Sequence, residues 1–396
     1  MDDKKFSHTE SEGEAPPLQP TLASLMMAVA CVTLFAACSR ADTTQESAQT
    51  STFTLTEVLR LGDEEAGDTV LFSAIDYLSV NSRGEMVVTE RRRAEISTFG
   101  PDGAFLGQVG ARGQGPGEYR FISSAIVGPA DSIYVLEVLL DRLLIYDPEN
   151  FLFVRDALLE NDGLKSVNGF VGAVEGNWLI TLSLSPFLRS EDGSMSINDD
   201  TGYEVRRANL DGSIEPEAVA RMRSFDMIYS IGEGGMNFVE VPFGRHTSYR
   251  MGPNNLLYHG WNDSIRIAVT APDGSVNATI SYDPPPVPIS DTEMTEAAHR
   301  ENELFQELVD ARDPYKAKPA FQTFVVDEVS RVWVKLSSLE GATEADWLIL
   351  DHRSNVVGTA SLPLAVNLRI IRQDRAYGSE QQDGADPMVL VYEINE

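Results

Sequence analysis

From residue 53 onward the chain alternates short apolar runs with clusters of turn-forming residues, and the alternation repeats. A tight polar turn precedes a strongly apolar run six times: Ser82-Arg83-Gly84 before EMVVT, Pro129-Ala130-Asp131 before SIYVL, Glu175-Gly176-Asn177 before WLITL, Pro253-Asn254-Asn255 before LLYH, Val329-Ser330-Arg331 before VWVK, and Gln373-Asp374 before RAYG. Runs of four to eight residues bounded by such clusters predict β-strands joined by tight turns. Counted between Gly84, Asp131, Asn177, Asn255, Ser330 and Asp374, the intervals are 47, 46, 78, 75 and 44 residues. Three of them match the length of a four-stranded blade, and the two long ones carry insertions.

A second pair of strands follows each marker, joined by residues that tolerate positive φ or set a hairpin. EISTF-GPDG-AFLGQV, RLLIY-DPEN-FLFVR, EVRRANL-DG-SIEPEAV, SIRIAV-TAPDG-SVNATI and WLILD-HRSN-VVGTA share this plan. The sixth copy stops at MVLVYEI without a fourth strand, while an unmatched strand, Phe53 to Leu59, stands at the start of the body. The pattern predicts an all-β, six-bladed β-propeller over residues 53–396, with the N-terminal strand completing the last blade and leaving only short, protected edges. A β-sandwich or open barrel, the rival for periodic strands, does not explain a missing strand supplied from the far end.

Three insertions interrupt the repeat. Residues 183–202 and 222–241 are polar, turn-rich surface excursions, and residues 284–319 differ in kind. There, SDTEMTEAAHRENELFQELVDARDP opens with a Ser/Asp-x-x-Glu capping signal, and Met294, Ala297, Leu304, Phe305 and Leu308 recur on one helical face. This predicts a helix near residues 290–312 that covers apolar surface between blades or, alternatively, acts as a lid.

The N-terminal residues have another character. Thr21 to Ala37 form an apolar stretch of signal-peptide length within a leader, residues 1–38. Its end, Leu34-Phe35-Ala36-Ala37-Cys38, resembles the lipobox of bacterial lipoproteins, although Phe35 stands where that family has leucine. The resemblance implies lipidation of Cys38 and anchoring in the bacterial cell envelope, at the outer membrane or periplasmic face. Release as a soluble periplasmic protein is the alternative. Residues 39–52, rich in Ser, Thr, Gln and Ala, form a flexible tether.

Composition narrows the partners. Of 396 residues, 31 are Lys or Arg and 61 Asp or Glu, a formal charge of −30 that repels nucleic-acid phosphates. The acidic excess suits a soluble, surface-rich monomeric body. The chain has two cysteines, Cys31 and Cys38, both in the leader, which removes disulfides and cysteine catalysis from the body.

The stretch GQVGARGQGPGEYRF (107–121), with the SIYVLEVLLDRLLIYDPEN that follows at 132–150, resembles the six-bladed, NHL-like β-propeller lipoproteins of bacteria. Their blades are linked by a G-x-G-x-G-P-G-E-[FY] loop. DEVSRVWV (327–334) and the closing VYEI match as well, so the resemblance covers the body. It implies fold and location rather than an activity, and the family's acidic position after the second strand is here displaced to Leu136-Glu137.

Candidate chemistry is sparse. Gly113-Gln114-Gly115-Pro116-Gly117 superficially suggests a phosphate loop, but Pro116 removes a donor and a strand, not a helix, follows. It reads as a link between blades. The five histidines show no metal-ligand spacing, no nucleophile motif is present, and nothing in the sequence calls for a cofactor. Propellers bind where loops converge at the mouth of the ring, which nominates Arg91, Arg92, Arg112, Glu118, Arg120, Arg245 and His246 as a ligand face. The expectation is a non-enzymatic envelope module binding a protein, peptide or glycan. A metal-assisted hydrolase or lyase with carboxylates, Asn or His converging on the axis is the alternative.

Overall fold

The computed structural model describes residues 50–396 apart from 65–69, 161–164, 175, 190–191, 193, 199–200, 233–234, 300–314 and 383. The leader, Cys38 and most of the tether lie outside the described residues, as does the part of the expected helix beyond residue 299. Among the described residues no helix is long and apolar enough to cross a membrane.

Six four-stranded antiparallel sheets follow one another along the chain. Blade 1 comprises Tyr77–Val80, Met86–Glu90, Glu95–Phe99 and Phe105–Gln108, and blade 2 Ile122–Val127, Ile133–Glu137, Arg142–Tyr146 and Phe153–Leu158. Blade 3 comprises Lys165–Val174, Asn177–Leu184, Tyr203–Ala208 and Ile214–Met222, and blade 4 Thr247–Met251, Leu257–Trp261, Ile265–Thr270 and Val276–Tyr282. Blade 5 comprises Phe321–Val326, Val332–Leu336, Glu344–Leu350 and Val356–Pro363. In blade 6, Val366–Arg372, Arg375–Glu380 and Met388–Asn395 are completed by Thr54–Leu61 from the other end of the chain, paired from Thr54 opposite Asn395 to Leu61 opposite Val389.

The innermost strand of each blade packs against those of its two neighbours, blade 6 against blade 1 included, so the sheets form a closed ring. Buried side chains divide accordingly into six clusters, one at each blade–blade contact. Each blade is covered on both faces by apolar side chains, which is why its second strand is apolar at successive positions rather than at alternate ones. Met86–Glu90, Ile133–Glu137 and Arg142–Tyr146 are buried throughout.

All six turn markers sit between the first and second strands of a blade, and all reach positive φ. Gly84, Ala130, Gly176, Asn254, Ser330 and Gln373 take φ of 80°, 56°, 83°, 58°, 67° and 52°. Strands alternate in direction within a blade, so the 1–2 and 3–4 turns lie at one end of the ring. The 2–3 turns and the connections between blades lie at the other, here called the upper end.

Several details depart from expectation. Ser51 and Thr52, assigned to the tether, pair in parallel with Gly358 and Thr359 on the outer strand of blade 5. The first two insertions are not loops but two-stranded hairpins, Phe187–Arg189 with Met195–Ile197 and Met227–Gly232 with Gly235–Glu240. A helix does form at Asp291–His299. Its cap is reciprocal: the Glu293 N–H donates to Ser290 Oγ at 3.0 Å, and the Ser290 N–H donates to Glu293 Oε2 at 3.1 Å.

Candidate functional site

Topology brings all seven nominated residues to the upper end, because 91–92 lie in a 2–3 turn and the others in connections between blades. Their side chains have different employments. Arg92, Arg112 and Arg120 are exposed. Arg91 is half-buried: its Nε donates to the Ile122 carbonyl at 3.3 Å, and its guanidinium lies 5.9 Å from the Phe121 ring centroid.

Glu118 closes its own loop by accepting the Gly115 N–H at 2.8 Å. A Cβ at Gly113 would come within 2.0 Å of Glu118 Oε2, so glycine is required there for the glutamate to fold back. Ala111–Arg112 and Glu118–Tyr119 then pair as a short parallel ladder, the geometry of a link rather than a phosphate cradle. Glu137, buried beneath this link, accepts the Arg120 N–H at 3.1 Å and pairs with Arg142 at 2.6 Å. The displaced acid of the family pattern thus fastens blade 2 to the loop before it.

Arg245 is 7% exposed. Its guanidinium donates to the carbonyls of Phe243 at 2.6 Å and Ala317 at 3.0 Å and stacks 4.0 Å from the Tyr315 ring centroid. It holds the third insertion to blade 4. His246 Nδ1 accepts from the Asn262 amide at 3.1 Å, and its Nε2 meets the Gln322 carbonyl at 3.2 Å. Those partners select the neutral Nε2–H tautomer, and burial lowers the ring's pKa in the same sense. Of the seven, His246 lines a space of about 380 Å³ between blades 4 and 5, and Arg245 a smaller one of about 170 Å³ beside Pro284, Pro285 and Pro286.

A second upper-end cavity, of about 600 Å³, lies over blade 3 beneath both hairpins. Its apolar walls are Tyr203, Phe225, Tyr229, Phe238 and Met227, and its polar groups include Ser166, Asn168, Ser183, Ser185 and Thr201. Among the described residues no charged side chain lines it. The rings are set by contacts between the two insertions and between insertion and blade: Phe187 meets Tyr229 edge-on with centroids 5.6 Å apart, and Tyr203 meets Phe225 at 6.5 Å. Phe225 and Phe238 remain 51% and 62% exposed. The positions of both insertions are legible in the sequence, but the cavity is not, since its walls come from four separated segments.

A third cavity, of about 790 Å³, follows the ring axis and is lined by first strands of blades 1, 2, 3, 4 and 6. None of the seven nominated residues lines it. Among the described residues, no three His, Cys, Asp or Glu side chains come together as metal ligands would.

Comparison with known proteins agrees with this architecture. Residues 40–184 match the model of a family described as a 6-bladed beta-propeller. The chain is a six-bladed β-propeller. Among solved structures it is similar to a member of the DUF4221 family from Bacteroides vulgatus, with 11% identity, 88% of this chain and 100% of that one covered, and a TM-score of 0.51. At that identity the likeness is one of fold. An exported protein from Bacteroides fragilis (15% identity, 87% and 96% covered, TM-score 0.47) and virginiamycin B lyase from Staphylococcus aureus (10% identity, 86% and 99% covered, TM-score 0.42) are also similar. No curated protein matches the chain by sequence.

Proposed function

We propose that this propeller is a binding module of the bacterial cell envelope that takes a neutral glycan at its upper end, in the cavity beneath the blade 3 hairpins. The observation that carries the reading is the composition of that cavity. In a protein with 23% charged residues and a formal charge of −30, its described lining consists of aromatic and aliphatic side chains with neutral hydroxyl and amide groups. Sugars present C–H faces that pack on rings and hydroxyls that need neutral hydrogen-bonding partners, the mixture of apolar wall and sparse polar groups that ligand pockets use. An anionic or cationic ligand would find no counter-charge among the described lining residues.

The full chain is therefore expected to retain neutral oligosaccharides on a glycan array, and Phe238→Ala and Phe225→Ala to weaken retention at least tenfold, since both rings are exposed and neither supports the core. Failure to retain any neutral glycan, or retention unaffected by both substitutions, would overturn the reading.

The address rests on the apolar segment 21–37 and on Cys38. In cells producing the full chain, labelled palmitate is expected to enter the wild type and to be lost in Cys38→Ala. Equal label in both would refute lipidation.

A further inference from the structure

The axial cavity differs in kind from the one over blade 3. Its lining includes Arg250 on the first strand of blade 4 and Arg369 on the first strand of blade 6, with Tyr77 of blade 1 and Tyr249 of blade 4. Blades 4 and 6 are not neighbours, so Arg250 and Arg369 enter this one cavity from separate sides of the ring. Burial, reinforced by the positive charge of Arg369, pulls Arg250 down to about 10. Burial lowers Arg369 too. Both remain cationic at neutral pH.

Neither guanidinium has a carboxylate ion-pair partner among the described residues. Arg250 donates to the Tyr249 carbonyl at 2.7 Å and to Thr323 Oγ1 at 3.2 Å, and Arg369 Nε donates to Ser379 Oγ at 3.4 Å. A guanidinium carries five N–H donors, so most of these stay available to what enters the channel. Arg372, also in the lining, is paired with Glu328 at 3.3 Å. The lining carboxylate, Asp76, accepts the Arg91 N–H through Oδ2 at 2.7 Å. It offsets one of the two positive charges and leaves the described lining net cationic in a strongly acidic protein.

Two buried cations that share one carboxylate and have no ion pair of their own cost stability, and hydrophobic replacements of similar size would avoid that cost. A forked pair of donors suits the oxygens of a carboxylate or phosphate. We propose that the axial channel is a binding site for a small oxyanionic ligand, its carboxylate or phosphate group held between Arg250 and Arg369. The site is separate from the hairpin cavity and independent of what that cavity binds.

The test is calorimetric titration of the full chain with inorganic phosphate and, separately, with succinate, at constant ionic strength in chloride. Saturable binding of either anion near one equivalent is expected, weakened at least tenfold in Arg250→Gln and in Arg369→Gln but unchanged in Arg353→Gln, at an exposed position in the 3–4 turn of blade 5. Phosphate binding alone assigns a phosphoryl group, and succinate binding alone a carboxylate. Melting temperatures without oxyanion supply the second readout: neutralising either channel arginine is expected to leave the protein at least as stable as the wild type. An arginine that merely braces the channel would instead lower stability when replaced. Absence of saturable binding to both anions, or affinity that survives both channel substitutions, would overturn the proposal.

Discussion

Glu204 shows how single side chains in this protein combine burial with charge. Only 3% exposed on the third strand of blade 3, it receives Lys165 Nζ at 2.5 Å, Arg206 at 2.6 Å and Arg221 at 3.1 Å. Burial by itself would raise its pKa, but hydrogen bonds and charge from Lys165 and Arg206 outweigh burial and hold the carboxyl below its ordinary value. A carboxylate depressed in the folded state adds stability above its unfolded pKa of about 4.3, and that stability is lost as pH falls through the folded value. Glu204→Gln should therefore destabilise the propeller by about 3 kcal/mol at neutral pH, because it leaves half-buried cations unpaired. As pH falls below about 4 the wild type should lose stability faster than the variant, so the two curves converge. Denaturant titrations at pH 7, 5, 4 and 3 measure this, and parallel curves would contradict it.

At the scale of elements, the turns made the fold legible. A 1–2 turn needs a residue at positive φ, which glycine and asparagine adopt at low cost, and such residues marked several blades. The 3–4 turns are as regular: Asp102, Asp147, Asp211, Asp273 and Asp351 each accept the N–H two residues on, at 3.1, 2.9, 3.0, 2.9 and 2.8 Å. These local bonds are encoded within four residues, so sequence alone reveals them, and part of the acidic excess has this structural use. First strands carry no comparable marker. Tyr77–Val80, Thr247–Met251 and Val366–Arg372 were expected only as members of the repeat, and Arg250 and Arg369 look there like ordinary strand residues. What gives them meaning is convergence on one axis from segments more than 100 residues apart, which no local pattern encodes. The hairpins fall between these cases. Polarity located both insertions, whereas their strands, only three to six residues long, lacked the apolar alternation that predicts strands.

At the scale of the molecule, closure distinguishes this ring from a linear stack of repeats. A stack has ends and melts inward from its weakest one, but a closed ring must break somewhere before any blade is free. The break most available is where chain ends meet, and Phe53 sits there. It is 4% exposed, edge-on to Trp333 with centroids 5.1 Å apart, and 5.1 Å from the Arg331 guanidinium. Gly358 makes room for it, since a Cβ there would lie 2.3 Å from the ring. Phe53→Ala should cost about 3–5 kcal/mol through lost burial and the cavity left behind. The distribution of that loss is the informative part. Trp347 in blade 5 belongs to the same buried cluster as Phe53, whereas Trp178 reports on the contact between blades 2 and 3, across the ring. If closure makes the ring one cooperative unit, variants retaining either tryptophan alone should show coincident thermal transitions, shifted down together by Phe53→Ala. Were the Trp347 signal to melt early while Trp178 kept its wild-type midpoint, blades 5 and 6 would be unfolding on their own. The N-terminal strand would then be a local patch on an open array, not the element that couples all six blades.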